Sequence, residues 1–140
     1  MLMKTLVYIL IFVFFILSCH AQKTRMPMPK NMKQIKQVMP YVQNKIKTEY
    51  RLKKFNLYVY NSVNIRAMIA DEDFIFNCST VNCDSVCKVL ARKIKEYSKE
   101  KSKKFLGGYD EIVITLARKG DHIIKGSTID TNYKYKISDL

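Results

Sequence analysis

The chain has 140 residues, with 25 Lys+Arg against 12 Asp+Glu, four cysteines, four glycines, three prolines and no tryptophan. That length holds one domain, and a hydrophobic fraction of 48% with 26% charged residues excludes collagen-like, low-complexity and wholly disordered chains. Four cysteines are too few for a disulfide-dense miniprotein.

The N-terminus carries the strongest signal. Met1 to Lys4 is a short stretch with one positive charge, and Leu6 to Leu17 follows as an unbroken apolar run (LVYILIFVFFIL). A membrane-spanning helix needs about 20 apolar residues, so this run is too short. A basic start, an apolar run of this length and small residues after it predict a secretory signal peptide over residues 1–21. Two cleavage sites compete. Cys19-His20-Ala21 ends in a small residue, which suits cleavage before Gln22. Ile16-Leu17-Ser18-Cys19 resembles a bacterial lipobox, with Cys19 as the lipidated first residue, although Leu17 departs from the residue usual there. A lipid on Cys19 would anchor the domain at about 0.8 kcal/mol per buried methylene. The expected location is outside the cytoplasm, as a secreted, periplasmic or membrane-anchored protein.

Residues 22–30 (QKTRMPMPK) read as a linker, because Pro27 and Pro29 push the residues before them into extended conformations. One domain is expected over 31–140. Met32, Ile35, Val38, Met39, Val42, Ile46 and Tyr50 recur at helical spacing, with Asn31 placed to cap the helix and Pro40 to kink or restart it. Phe55 to Val63 and Val63 to Ala70 alternate as two half-buried strands, joined near Asn61-Ser62 by a tight connection or bulge. Asp71-Glu72-Asp73 reads as a turn, and Phe74, Phe76 and Cys78 share one face of a third strand.

A second helix follows, with Cys83, Val86, Cys87, Leu90, Ile94 and Tyr97 on its apolar stripe and Gly107-Gly108 as its stop. Three more strands are expected: Glu111 to Arg118, His122 to Ile129 after a Lys119-Gly120-Asp121 turn, and Tyr133 to Ile137 after an Asp130-Thr131-Asn132 turn. The predicted fold is α+β, in the order α-β-β-β-α-β-β-β. Its sheet is largely antiparallel, about five to six strands, with two amphipathic helices on one face.

Charge is concentrated. Residues 23–54 hold ten Lys/Arg and one Glu, and residues 92–104 hold seven Lys/Arg and two Glu. Such an excess prefers polyanions, and export directs the expectation to anionic lipid or acidic glycan rather than intracellular nucleic acid. The candidate contacts are Lys33, Lys36, Lys45 and Lys47 on the first helix and Arg92, Lys95, Lys99 and Lys103 on the second.

Little else points to chemistry. Cys78, Cys83 and Cys87 would meet oxidising conditions. Cys83 and Cys87 lie one helical turn apart, which suits a bridge poorly, so Cys78 is expected to close on either Cys83 or Cys87. Cys-x4-Cys-x3-Cys matches no common zinc spacing, and a redox Cys-x-x-Cys is lacking. His122 has no nucleophile elbow to serve, and Asp71 to Asp73 lack calcium-loop spacing. Neither catalytic residues nor a metal or cofactor is expected. The reading is an exported non-catalytic interaction protein contacting an envelope protein or anionic surface. Its alternatives are a thiol-redox protein using Cys83 and Cys87, and an inhibitor or protective partner of another exported protein.

Overall fold

The computed structural model describes residues 31–119 and 128–140. The expected signal segment and linker, Cys19, His122 and most of the strand expected over His122 to Ile129 lie outside the described residues.

Helix α1 spans Met32–Glu49 and buries Val38, Met39, Val42 and Ile46, the middle of the stripe read from the spacing. It is one helix through Pro40. Proline removes the amide that would bond the Lys36 carbonyl, and both residues lie on the exposed side of the helix, where that loss is tolerated best. Asn31 stands at the N-cap position but makes no side-chain capping bond, contrary to expectation. At the other end Arg51 turns left-handed (φ 52°). Its amide donates to the Thr48 carbonyl and the Leu52 amide to the Lys47 carbonyl, which closes the helix as a Schellman motif.

Strands β1 (Phe55–Tyr60) and β2 (Asn64–Ile69) pair antiparallel. Asn61 and Ser62 both have positive φ, so the connection is a tight turn. Phe55, Leu57, Ile65, Ala67 and Ile69 are buried on one face, as the alternation requires.

The expected third strand is instead helix α2, Glu72–Thr80. Asp71 caps it by accepting from the Phe74 amide, with Glu72 and Asp73 in the first turn where the helix dipole favours acids. Burial falls on Ile75 and Cys78, three apart, while Phe76 is 69% exposed. The Phe74/Phe76/Cys78 alternation was a coincidence of spacing. Helix α3, Cys83–Lys101, is capped by Asn82, whose side chain accepts from the Ser85 amide. It ends at Ser102, well before Gly107-Gly108. Those glycines belong to a separate 3-10 turn, Phe105–Gly108, that drives Phe105 and Leu106 into the core.

Strand β3 (Glu111–Lys119) lies beside β2 in parallel, and β4 (Thr128–Lys136) pairs antiparallel with β3. The sheet therefore has four strands in the order β1-β2-β3-β4 and is mixed, not the largely antiparallel sheet of five to six strands expected. A parallel pair requires a long crossover, and α2 with α3 supplies it between β2 and β3. The turn expected at Asp130-Thr131-Asn132 is strand instead. Pairing of Asp130 with Ala117 and Asn132 with Thr115 holds it extended, and Thr115 Oγ1 donates to Asn132 Oδ1 at 2.7 Å.

Helices α1 and α3 lie side by side on one face of the sheet, α1 over β1 and α3 over β3 and β4. They run antiparallel, since Tyr41 and Lys45 meet Glu100 while Glu49 meets Tyr97. Val42, Ile46, Leu90 and Ile94 pack there against Ile65, Ala67, Ile112, Ile114 and Leu116, all excluded from solvent. The other face carries the alternate row, including Tyr58, Arg66, Met68, Asn132 and Lys134.

Candidate functional site

The eight candidate basic residues do not form one patch. Lys45 points across to α3, where its Nζ sits 2.7 Å from Glu100 Oε2 and 4.3 Å from the centre of the Tyr97 ring. Glu100 also accepts from Tyr41 Oη at 2.8 Å. These donors, Lys45 first and Tyr41 second, hold the Glu100 carboxyl below its ordinary range and raise the Lys45 ammonium in turn. Tyr97 donates to Glu49 one helical turn further along. Lys45 is thus part of a polar seam between the helices, where its partners compete with any external anion.

Lys95 is also engaged. Its Nζ donates to the Ile137 carbonyl at 2.7 Å and to Leu140 O at 3.2 Å, tying the C-terminus to α3. The remaining candidates diverge. Taking 100° per residue from the buried stripe, Lys33, Lys36 and Lys47 lie on the flank of α1 away from α3. Arg92 and Lys99 lie on the outer, β4-side surface of α3, a side fixed by Tyr135 Oη donating to Asp84 and by Lys95 reaching Ile137. Lys103, expected on the helix, lies beyond it, because the helix ends at Ser102, and it is exposed. Two basic flanks therefore face away from each other, one at the β1 side and one at the β4 side.

Of the two partners considered for Cys78, the structure joins it to Cys83, with Cα atoms 4.7 Å apart. The bridge staples the end of α2 to the start of α3. Cys87 is free and fully buried, and burial pushes its thiol up to about 12. A use of Cys83 with Cys87 in thiol exchange would have to begin by opening the Cys78–Cys83 bond. We expect iodoacetamide at neutral pH to leave native Cys87 unmodified, because the thiolate is the reactive form. Intact mass of protein beginning at Gln22 should show one alkylated thiol only after addition of denaturant; rapid labelling of that native protein would contradict this environment.

Within the acidic cluster, Asp71 serves the backbone. Asp71 Oδ2 accepts from the Lys53 amide at 2.8 Å and Oδ1 from the Phe74 amide at 3.2 Å. Bonding to Lys53 first, and to Phe74, holds its carboxyl below the ordinary range despite burial. Among the described residues no group of three His, Cys, Asp or Glu side chains is placed to hold a metal ion. No helix among them is long and apolar enough to cross a membrane.

One feature escaped the sequence reading. An apolar cleft of about 550 Å³ lies against α2, lined by Ala70, Ile75, Phe76 and Ala117 with Lys54 and Arg118. Its signal was the helical spacing of Asp71, Ile75 and Cys78, hidden under the apparent alternation. Compared with protein-family models, with curated proteins and with solved structures, the chain matches none.

Proposed function

We propose that the chain is an exported, non-catalytic interaction module that rests on an anionic membrane surface through the outer flank of α1. In this reading the N-terminal segment delivers it, lipid on Cys19 or release before Gln22 decides whether it is tethered, and residues 22–30 connect it to the domain. The observation that carries the reading is the placement of Lys33, Lys36 and Lys47. They share a flank of α1 turned away from the sheet and α3, and none has an ion pair among the described residues. Lys33 and Lys36 open the helix just after residue 30 and Lys47 closes it, so the basic flank runs along most of α1. The Cys78–Cys83 bridge suits an oxidising compartment.

Each lysine near an anionic bilayer contributes about 1 kcal/mol. The soluble domain should therefore pellet with phosphatidylglycerol-containing vesicles at low salt and not with pure phosphatidylcholine vesicles. Replacing Lys33, Lys36 and Lys47 by Gln together should reduce partitioning roughly a hundredfold. Salt should release the wild type, since exposed charges are screened beyond about 8 Å at physiological ionic strength. Retention that ignores both salt and the triple substitution would refute this surface. Intact-mass measurement of the natively produced protein tests the address, by its first residue and by any acyl chain on Cys19.

A further inference from the structure

The sheet has two edges, and they are treated differently. At β1 the chain blocks its own edge. The Ala70 amide donates to the Lys54 carbonyl, so residues 54, 56, 58 and 60 face β2 and the amides of Phe55, Leu57 and Val59 face outward. The central one of these, Leu57, donates to Gln43 Oε1 of α1 at 2.9 Å. A strand arriving there would have to displace that glutamine and the helix behind it.

Among the described residues β4 has no such guard. The Ile137 amide donates to the Asp110 carbonyl, which sets the alternation so that Asp130, Asn132, Lys134 and Lys136 turn their N–H and C=O groups away from β3. Among the described residues nothing bonds those outward groups, and all four residues are exposed. Unpaired edges of this kind accept an added strand.

The charge around this edge selects the occupant. Lys134 and Lys136 project from the face away from the helices. On the helix face, Asp84 and Lys95 contact residues in and after β4, and helical spacing puts Lys88, Arg92 and Lys99 on or next to that same flank of α3. The edge thus runs between two basic rows, with Asp130 at its far end and Asp84 held by Tyr135. A second copy would bring the α3 rows of two strongly basic chains together, and the chain carries a formal net charge of +13.

We propose that β4 is a docking edge for an extended, acidic segment of a partner protein, which adds as a fifth strand by bonding the backbone of Asn132, Lys134 and Lys136. This rests on the reading of the chain as an interaction module and supplies its protein partner's chemistry. It places that partner on the opposite side of the helical layer from the Lys33/Lys36/Lys47 flank.

The test uses a fluorescein-labelled peptide of alternating Glu and Val with blocked ends, and a Lys-for-Glu version as control, titrated with the domain and followed by anisotropy. The acidic peptide should bind, more weakly as salt rises, and the basic one should not. Lys134→Pro removes an outward amide without breaking a bond to β3 and should weaken binding on the order of tenfold, about 1.4 kcal/mol. Lys134→Gln keeps the amide and should weaken it by about two- to threefold. Circular dichroism checks that the proline variant is folded. Independently of any variant, amide exchange on the wild type should show peptide-dependent protection at Asn132, Lys134 and Lys136. Absence of binding, equal binding of both peptides, or protection located elsewhere would overturn the proposal. So would self-association of the free domain that protects these same amides. Vesicle pelleting of Lys134→Pro should match the wild type, so loss of the strand site and loss of the membrane flank are read separately.

Discussion

A Phe105→Ala variant is expected to lose about 3–5 kcal/mol of stability, the usual range for emptying a fully buried aromatic site. Phe105 has no exposed surface, and its ring centre lies 5.0 Å from that of Tyr109. It sits on a 3-10 turn whose purpose in the fold is to insert Phe105 and Leu106 beneath α3. Little backbone is free to collapse into the void, because the turn is fixed between a long helix and the central strand β3. Domains of this size have about 5–15 kcal/mol in total, so the loss is a large fraction of the whole. Urea denaturation reads the effect as a lowered midpoint with an unchanged slope. A loss below about 1 kcal/mol would mean that the turn is not the anchor described here.

Asp71→Ala is the second large effect, at about 2–3 kcal/mol. One carboxylate there satisfies two segments, the N-terminus of α2 through Phe74 and the segment between α1 and β1 through Lys53. Loss of an N-cap costs about 1 kcal/mol, and the part-buried Lys53 amide, left without its carboxylate partner, adds about 1–2 kcal/mol. The pH dependence has a definite sign. The folded carboxyl lies below its unfolded value, so its contribution is complete above the ordinary carboxylate pKa and disappears as pH falls through the folded value. Asp71→Asn should therefore differ most from the wild type near neutrality and converge with it in acid. Melting curves recorded across that range check both points; parallel curves would show that the charge is irrelevant.

Where one periodicity dominated, the residues revealed their structure directly. The stripe through Val38, Val42 and Ile46 and that through Cys87, Leu90 and Ile94 could only be helical, and Ile112, Ile114 and Leu116 alternate without ambiguity. At 71–80 two periods overlapped, and the capping carboxylate of Asp71 decided between them. Composition misled at Asp130-Thr131-Asn132, whose turn-forming residues are tolerated in β4 because an edge strand leaves them in water. The parallel neighbourship of β2 and β3 was beyond local reading, since it depends on where a crossover returns the chain. For the basic residues, counting charges could not say that Lys45 and Lys95 are occupied or that the others fall on two opposed flanks. That division follows from the helices lying antiparallel.

The parallel join between β2 and β3 also governs when the fold can be completed. Ile65, Ala67 and Ile69 gain their neighbours Ile112, Ile114 and Leu116 only after everything between them has been made. Contacts so distant along the chain delay folding, because the entropy of the intervening loop is lost before any pairing rewards it. A nascent polypeptide emerging N-terminus first would thus hold three helices and one hairpin, with the inner edge of β2 unpaired until Glu111 to Leu116 had followed.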